Sequence, residues 1–407
     1  MGHVQDLWYK PAPDPATGRM IRVKTRLHGT GRRYRVRYTD PDGREHSKSF
    51  PDRCKKDADG FLSDIESAKR SGDYLDPKAG RISFESYAEA WLASQTFDES
   101  SRENVAIRLR KHTYPRLGQL PLASITPTQI RTWDRELQER GLAARYRQGI
   151  FTYVEAVLSA AVDDGRIRTN PCKARSVSRP RVPPRKIKPW SAERVRAVHD
   201  ALPDRYKVAL MLGAGLGLRQ GETFGLAVDD VDFVRQVVHV TRQVKIVGSR
   251  RCFGPPKGGE PRQVPLPESV ALVLAEHIRC FPPVAVTLPW QSPRGERVSA
   301  RLLVRAASRT AVHRVDFNRR VWGPALRTAG ITAAARVDGF HALRHFYAST
   351  LLDSGESIVA LAEYLGHADP AFTLRTYTHL MPSSRQRTRH AIDTTLRPAT
   401  PHDTETA

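Results

Sequence analysis

Between Phe340 and Leu380 the chain reads FHALRHFYAST, LAEYLGHADP and LRTYTHL, strung over two or three short helices. This stretch supplies His341, Arg344, His367 and Tyr377. Upstream stand Arg219, in GLRQGE, and Lys257, in PPKGGEPRQVPLP. Guanidinium forks match phosphate oxygens, lysine and imidazole move protons, and an activated tyrosine oxygen is a nucleophile. Two guanidiniums, a lysine, two imidazoles and a tyrosine together suit holding an anionic phosphodiester while a phenol attacks it. Singly, each residue has an ordinary reading. An HxxR pair decorates or caps a helix, Lys257 beside glycines is a solvated turn residue, and LGH ends a helix. Tyr377 alone could anchor a helix with its hydroxyl in water. Order and spacing carry the functional reading. Arg219 and Lys257 lie 38 residues apart, Arg344 and His367 23, and His367 and Tyr377 10. Those gaps fit a helix exit with a hairpin, two helices, and a turn into a new helix.

The elements that must position this set begin at Trp190. Helices are expected over 191–202 and 204–214, and Arg219 on the helix that follows. Glu222, three residues on, shares its face. The glycines of GLGLRQGE match neither a Walker pattern nor a dinucleotide fingerprint. Val237 to Lys245 alternates weakly and Arg262 to Leu266 is a short extended run. Lys257 falls between them, near the tip or flank of a hairpin, with Lys245 as the other candidate lysine. Extended segments over 286–295 and 298–305 precede a helix over 317–330 that packs Val321, Trp322 and Leu326.

Ahead of this part the chain divides by composition. Residues 1–19 are polar and Pro-rich and read as loose. Over 20–80, RRYRVRYTD alternates, with Tyr34, Val36 and Tyr38 on one face and Arg33, Arg35 and Arg37 on the other. A turn at Pro41-Asp42-Gly43 and a helix striped by Ala58, Phe61, Leu62, Ile65 and Ala68 complete a small antiparallel sheet packed on one helix. Its arginine face is either an ordinary solvated surface or a reader laid in a DNA groove. Residues 82–175 carry four helical patterns: one capped by Ser83, one over 101–113 stopping at Pro115, one started by Thr126-Pro127, and one over 144–163. Short loops would close them into a bundle. From Arg166 to Lys188 there are nine basic residues and no acidic one, with five prolines by Pro189. Residues 176–189, with Arg181, Arg185, Lys186 and Lys188, form a linker that either tracks a phosphate backbone or is a solvated spacer. Residues 394–407 read as a disordered tail.

The 407 residues carry 66 basic and 43 acidic side chains, a net charge of +23 and a pI near 10.3. That balance favours a polyanionic partner. No apolar run of membrane length and no signal-peptide pattern accompanies it, so nucleic acid is preferred to membrane. The four cysteines lack metal-ligand spacing, so no metal is expected and reduced structural roles are.

The whole set resembles the tyrosine recombinase (phage integrase) family, in residue types and in order, over residues 20–390. The fold this implies is multidomain and mainly α. It comprises a small N-terminal β-sheet-plus-helix domain that binds arm-type sites (20–80), a helical core-binding bundle (82–175), and a mixed α+β catalytic domain of the DNA breaking-rejoining type (190–393). The resemblance implies that Tyr377 attacks one strand to give a 3′-phosphotyrosyl link and a free 5′-hydroxyl, without ATP, metal or cofactor. Arg219 and Arg344 would clamp the non-bridging oxygens. His367 would add a phosphate contact, and His341 would act as base or relay for Tyr377. Glu222 would orient Arg219. Lys257 would protonate the leaving oxygen, since the family's K-G then R-x-V-P-L pattern fits it better than Lys245. Two guanidiniums would favour the Tyr377 phenolate. The partners implied are double-stranded attachment sites, with a homotetramer on two of them, a monomer or dimer when free, and an accessory bending or directionality factor. A cytoplasmic, nucleoid-associated bacterial protein that integrates or excises a mobile element fits this reading. A type IB topoisomerase shares the constellation, and a non-catalytic DNA-binding regulator shares the charge.

Overall fold

The computed structural model describes residues 2–378 except 16, 17, 42, 72, 73, 75, 77, 184–186 and 333–336, together with 389, 392, 393 and 396. The chain falls into two compact units. One is Met1–Thr96 with Asn104–Val182, and the other is Phe97–Glu103 with Pro183–Ala407.

The first unit opens with five strands: β1 (His3–Asp6), β2 (Tyr9–Pro13), β3 (Met20–Lys24), β4 (Tyr34–Thr39) and β5 (Glu45–Phe50). β4 is central in a three-stranded antiparallel sheet of order β1-β4-β5, and β2 pairs with β3 as a separate hairpin. Tyr34, Val36 and Tyr38 are buried against Ala58 and Ile65 of α1 (Lys55–Ser71), as their alternation requires. The expectation of a loose residue 1–19 segment is corrected: β1 and β2 both fall inside it. The physical reason is that β4 buries a full apolar face and has a second edge to pair. Val4 fills that edge opposite Val36, and HVQD is too short and polar to show periodicity. IRVKTR likewise does not join the main sheet but lies exposed in the β2–β3 hairpin.

Four helices follow: α2 (Phe84–Ser94), α3 (Glu99–His112), α4 (Pro127–Glu139) and α5 (Ala144–Asp163). Ser83 Oγ accepts from the Ser86 N–H at 3.2 Å. Thr126 and Gln129 form a reciprocal capping box with Pro127 in the first turn. α5 buries Ile150, Phe151, Val154, Val157, Leu158 and Ala161, and Trp133 of α4 donates its indole N–H to the His112 carbonyl at 2.8 Å. The basic stretch after α5 is not all linker. Ile167, Asn170, Pro171 and Cys172 are buried, and the Asn170 amide donates to the Glu155 carbonyl and Ser159 Oγ, both at 2.9 Å.

The second unit is built on α6 (Ala192–Ala201) and α7 (Asp204–Gly215), the latter buried on most faces. Then come α8 (Gln220–Gly225), β6 (Val231–Asp232), β7 (Val237–Val240), β8 (Gln243–Val247), β9 (Arg250–Gly254) and β10 (Arg262–Pro265). The sheet order is β10-β7-β6, with Val264 opposite Val238 in the core. β8 and β9 form their own hairpin. α9 (Glu268–Cys280), the hairpin β11 (Val284–Pro289) and β12 (Arg297–Leu302), and short helices α10 (Arg314–Phe317) and α11 (Gly323–Thr328) complete the packing. The expected 317–330 helix forms within one continuous helical run from Arg314 to Thr328, with a wider turn over Asn318–Trp322 joining α10 to α11. Last come α12 (His341–Asp353), α13 (Ile358–Leu365) and α14 (Pro370–Tyr377). Tyr347, Ala348, Leu352, Leu361, Leu365 and Tyr377 pack these three helices together.

Candidate active site

Arg219 is not within a helix, as expected, but caps one. It stands at the N-cap of α8 in extended conformation. There its backbone N–H donates to Glu222 Oε2 and its Nη1 donates to Glu222 Oε1, both at 2.9 Å. Glu222 is buried, and a second arginine that sequence reasoning missed completes its neutralisation. Arg262, at the start of β10, donates to Glu222 Oε1 at 3.1 Å and Oε2 at 2.7 Å, and from Nε to the Tyr364 carbonyl at 2.7 Å. Burial pushes the Glu222 carboxyl up, but the Arg262 hydrogen bonds and the charges of Arg262 and Arg219 outweigh it and hold its pKa at about 2.

Arg344 lies one turn into α12, on its buried side. It donates from Nη1 to the Gly217 carbonyl at 2.8 Å, and from Nη2 to the Leu365 carbonyl and to His367 Nε2, the latter at 3.1 Å. Arg219 Nη2 reaches the next carbonyl, Gly366, at 3.2 Å. Two guanidiniums thus converge on the turn that ends α13 and carries His367. Glycine is required twice here. Gly366 has φ +62°, and a Cβ would meet the Arg262 side chain at 3.0 Å. Gly217 has φ +63°, and a Cβ would strike the Tyr347 ring at 2.5 Å.

His367 accepts from Arg344 at Nε2, so its proton sits on Nδ1, 2.7 Å from Thr373 Oγ1. Desolvation, then the Arg344 and Arg219 charges, push its imidazole down to about 4. In this arrangement Nε2 is an acceptor, and it becomes a donor only on tautomer exchange or protonation. His341 stands at the start of α12, open to solvent. The protein packed around one side of its ring, and then the charges of Arg344, Arg219, His367 and Lys257, push it below the ordinary histidine value, and solvent on its exposed side weakens that shift. Lys257 is exposed in the Pro256–Gly259 turn between β9 and β10, past the hairpin rather than at its tip. Lys245, the alternative, has a mostly buried side chain 3.9 Å from Asp98.

Tyr377 ends α14 and is only 1% exposed. Its hydroxyl is 2.8 Å from Nδ1 of His345, not of His341. Sequence reasoning missed His345; the only signal was its place in LRHF, one residue past Arg344. The expected bias towards phenolate is also corrected. Burial raises the Tyr377 pKa to about 12, and the lowering effects of Arg344 and Arg219 do not offset it.

Of the outlying candidates, Arg33 is committed elsewhere. It pairs with Asp6 and Asp52 at 3.0 Å each. Arg35 is half-buried and Arg37 exposed; Arg181 and Lys188 are exposed. Arg185 and Lys186 lie outside the described residues, as does most of the segment after Tyr377. Among the described residues no cluster of side chains could hold a metal ion. Nor is any helix among them long and apolar enough to cross a membrane.

The phage integrase family model matches residues 191–384, and that for the phage integrase central domain matches 84–176. The chain belongs to the phage integrase family. It is a site-specific tyrosine recombinase, exchanging DNA strands through a phosphotyrosyl intermediate. A tyrosine recombinase XerC-like protein of Caldanaerobacter subterraneus subsp. tengcongensis is 26% identical over 396 residues, covering 89% of this chain and 95% of the relative. The Tn1549 transposon integrase in complex with a circular intermediate DNA superposes with a TM-score of 0.65 at 19% identity, covering 76% of this chain and 99% of the other. A lambda integrase tetramer bound to a Holliday junction gives 0.56 at 17% identity, covering 85% and 92%. At these identities the two structures establish the shared fold.

Proposed function

We propose that this chain integrates or excises a mobile element by cutting one strand of a duplex attachment site with Tyr377. The observation that carries the reading is the convergence of Arg219 and Arg344 on the Leu365–His367 turn, with Tyr377 buried beside them in the same unit. A phosphodiester entering there takes the place of the Gly366 carbonyl on Arg219 and of His367 Nε2 on Arg344. In the pentacoordinate transition state the non-bridging oxygens gain charge, and forks already held by Glu222, Gly217 and Leu365 need little reorganisation to meet it. Lys257, exposed and without a hydrogen bond or ion pair among the described residues, is free to reach the 5′ oxygen and protonate it. His367 supplies a further donor once an anion draws a proton to Nε2.

Four strands are cut in exchanging two duplexes and each chain supplies one nucleophile, Tyr377, so four protomers act on two sites. The tetramer on a Holliday junction formed by lambda integrase supports that stoichiometry. The N-terminal sheet, with Arg35 and Arg37 on its outer face, is the candidate for binding separate arm-type sites. Exposed Arg181 and Lys188 are the candidates for contact along the phosphate backbone. An accessory bending or directionality factor belongs to the same reading. The test uses a nicked duplex carrying the attachment junction, taken from the DNA flanking the gene. Tyr377→Phe should bind that duplex normally and form no SDS-resistant adduct, and an adduct with the variant would refute the assignment.

A further inference from the structure

We propose that His345, rather than His341, takes the proton from Tyr377 during attack and returns it on resealing. The inference rests on the recombinase reading of the site. Its basis is geometric. Among the described residues the hydrogen-bond partner of the Tyr377 hydroxyl is His345 Nδ1, at 2.8 Å. That separation is already within reach for direct transfer. The two rings meet at 62° with centroids 5.7 Å apart, which presents the Nδ1 edge to the hydroxyl. His341, one turn earlier on α12, meets the His345 ring edge-on at 4.6 Å and makes no hydrogen bond to Tyr377. Its place is behind the acceptor, holding the ring in orientation.

The protonation states agree with this geometry. Desolvation, then the His341 and Arg344 charges, push His345 down to about 4, so its imidazole is neutral at neutral pH. With its proton on Nε2, Nδ1 accepts the Tyr377 O–H. The groups that face this pair are His341 and Arg344 from α12, His367 from beyond α13, and Arg219 from the start of α8. In the free protein burial keeps the phenol protonated, and desolvation together with the Arg344 charge keeps His345 from taking its proton. An entering phosphate brings negative charge beside these groups and makes His345 a better base. The nucleophile is thereby activated when substrate is present.

Bonds and protons balance. The Tyr377 O–H bond breaks, its oxygen bonds to phosphorus and its proton goes to Nδ1. The bond from phosphorus to the 5′ oxygen breaks, and Lys257 supplies the proton that oxygen takes. On resealing, the 5′-hydroxyl attacks phosphorus and gives its proton back to Lys257. His345 then returns its proton to the departing Tyr377 oxygen.

The test compares single-turnover cleavage of the nicked junction duplex by the full-length protein and its His345→Ala and His345→Asn variants. Asparagine places a hydrogen-bond acceptor near the Nδ1 position but has no basic nitrogen. The wild-type rate should be flat from pH about 6 to about 9, and both variants should be about 10²-fold slower at neutral pH. Their rates should climb about tenfold per pH unit, as hydroxide replaces the lost base, and added imidazole should partly restore His345→Ala. A His345→Asn rate equal to wild type would show that the hydrogen bond alone matters and would overturn the proposal. So would a flat profile at a near-normal rate in His345→Ala. A climbing profile confined to His341→Ala would do the same. Duplex binding by each variant in gel shift, with thermal melting, checks folding, and His345→Gln serves if alanine unfolds the chain. Tyr377→Phe separates the two levels. An adduct with it sinks the site reading, whereas its silence beside a normal His345→Ala sinks only this inference.

Discussion

Glu222→Gln is the perturbation whose size the structure sets most directly. The Glu222 side chain is buried between two guanidiniums and accepts four hydrogen bonds: two from Arg219 and two from Arg262. Glutamine keeps the shape and removes the charge. It also turns an NH₂ group towards an arginine donor, so at least one of the four bonds becomes a repulsion. Breaking one partner out of a buried ionic group costs about 3–5 kcal/mol. The pKa gives an independent figure. A carboxyl held at about 2 against the ordinary 4.5 corresponds to roughly 3 kcal/mol. The sign follows from the depressed folded value. This stability is fully present above pH about 4.5 and is lost as pH falls from there towards about 2. Wild type should therefore melt roughly 6–12 °C above Glu222→Gln at neutral pH. The gap should close as acid protonates Glu222 in the wild type. Scanning calorimetry of both proteins across that range measures it, and cleavage should fall in parallel because Arg219 loses its anchor. Equal melting temperatures at neutral pH, or a gap that widens in acid, would refute the reasoning.

Arg219→Lys and Arg344→Lys keep the charge and lose the fork. Each should slow single-turnover cleavage by at least about tenfold while leaving site binding intact, a transition-state donor being worth about 3 kcal/mol. Lys257→Ala should cleave an ordinary junction poorly but a 5′-bridging phosphorothiolate almost normally, since a thiolate leaves without a proton. Equal defects on both substrates would move the acid to Lys245. Gly217→Ala adds a methyl group at positive φ against the Tyr347 ring. It should destabilise the unit by about 1–3 kcal/mol in thermal melts.

The helices that carry the site were readable because their cues are local. HxxR puts His341 and Arg344 on one face of α12, LGH supplies the left-handed stop of α13, and Asp369-Pro370 starts α14. What escaped was decided by contacts distant in sequence. Arg262 reads as a strand residue until β10 brings it to Glu222, 40 positions away. His345 follows Arg344, but neighbouring residues on a helix point about 100° apart. Its partner Tyr377 lies 32 positions on. Burial of Tyr377 reversed the expected effect of the arginines on its pKa, and burial is a property of three packed helices rather than of any motif. β1 and β2 were hidden by their polarity, and only the free edge of β4 explains the pairing of β1.

The central claim is that the Tyr377 oxygen becomes bonded to a strand's 3′ phosphate. The direct measurement is to trap the protein on a nicked attachment duplex, digest the adduct, and identify the nucleotide-bearing peptide by mass spectrometry while end-labelling the released strand. The account requires a phosphonucleotide on the peptide containing LRTYTHL, at Tyr377, together with a free 5′-hydroxyl. A nucleotide on Tyr347 or Tyr364, or a released strand ending in a 5′ phosphate, would contradict it.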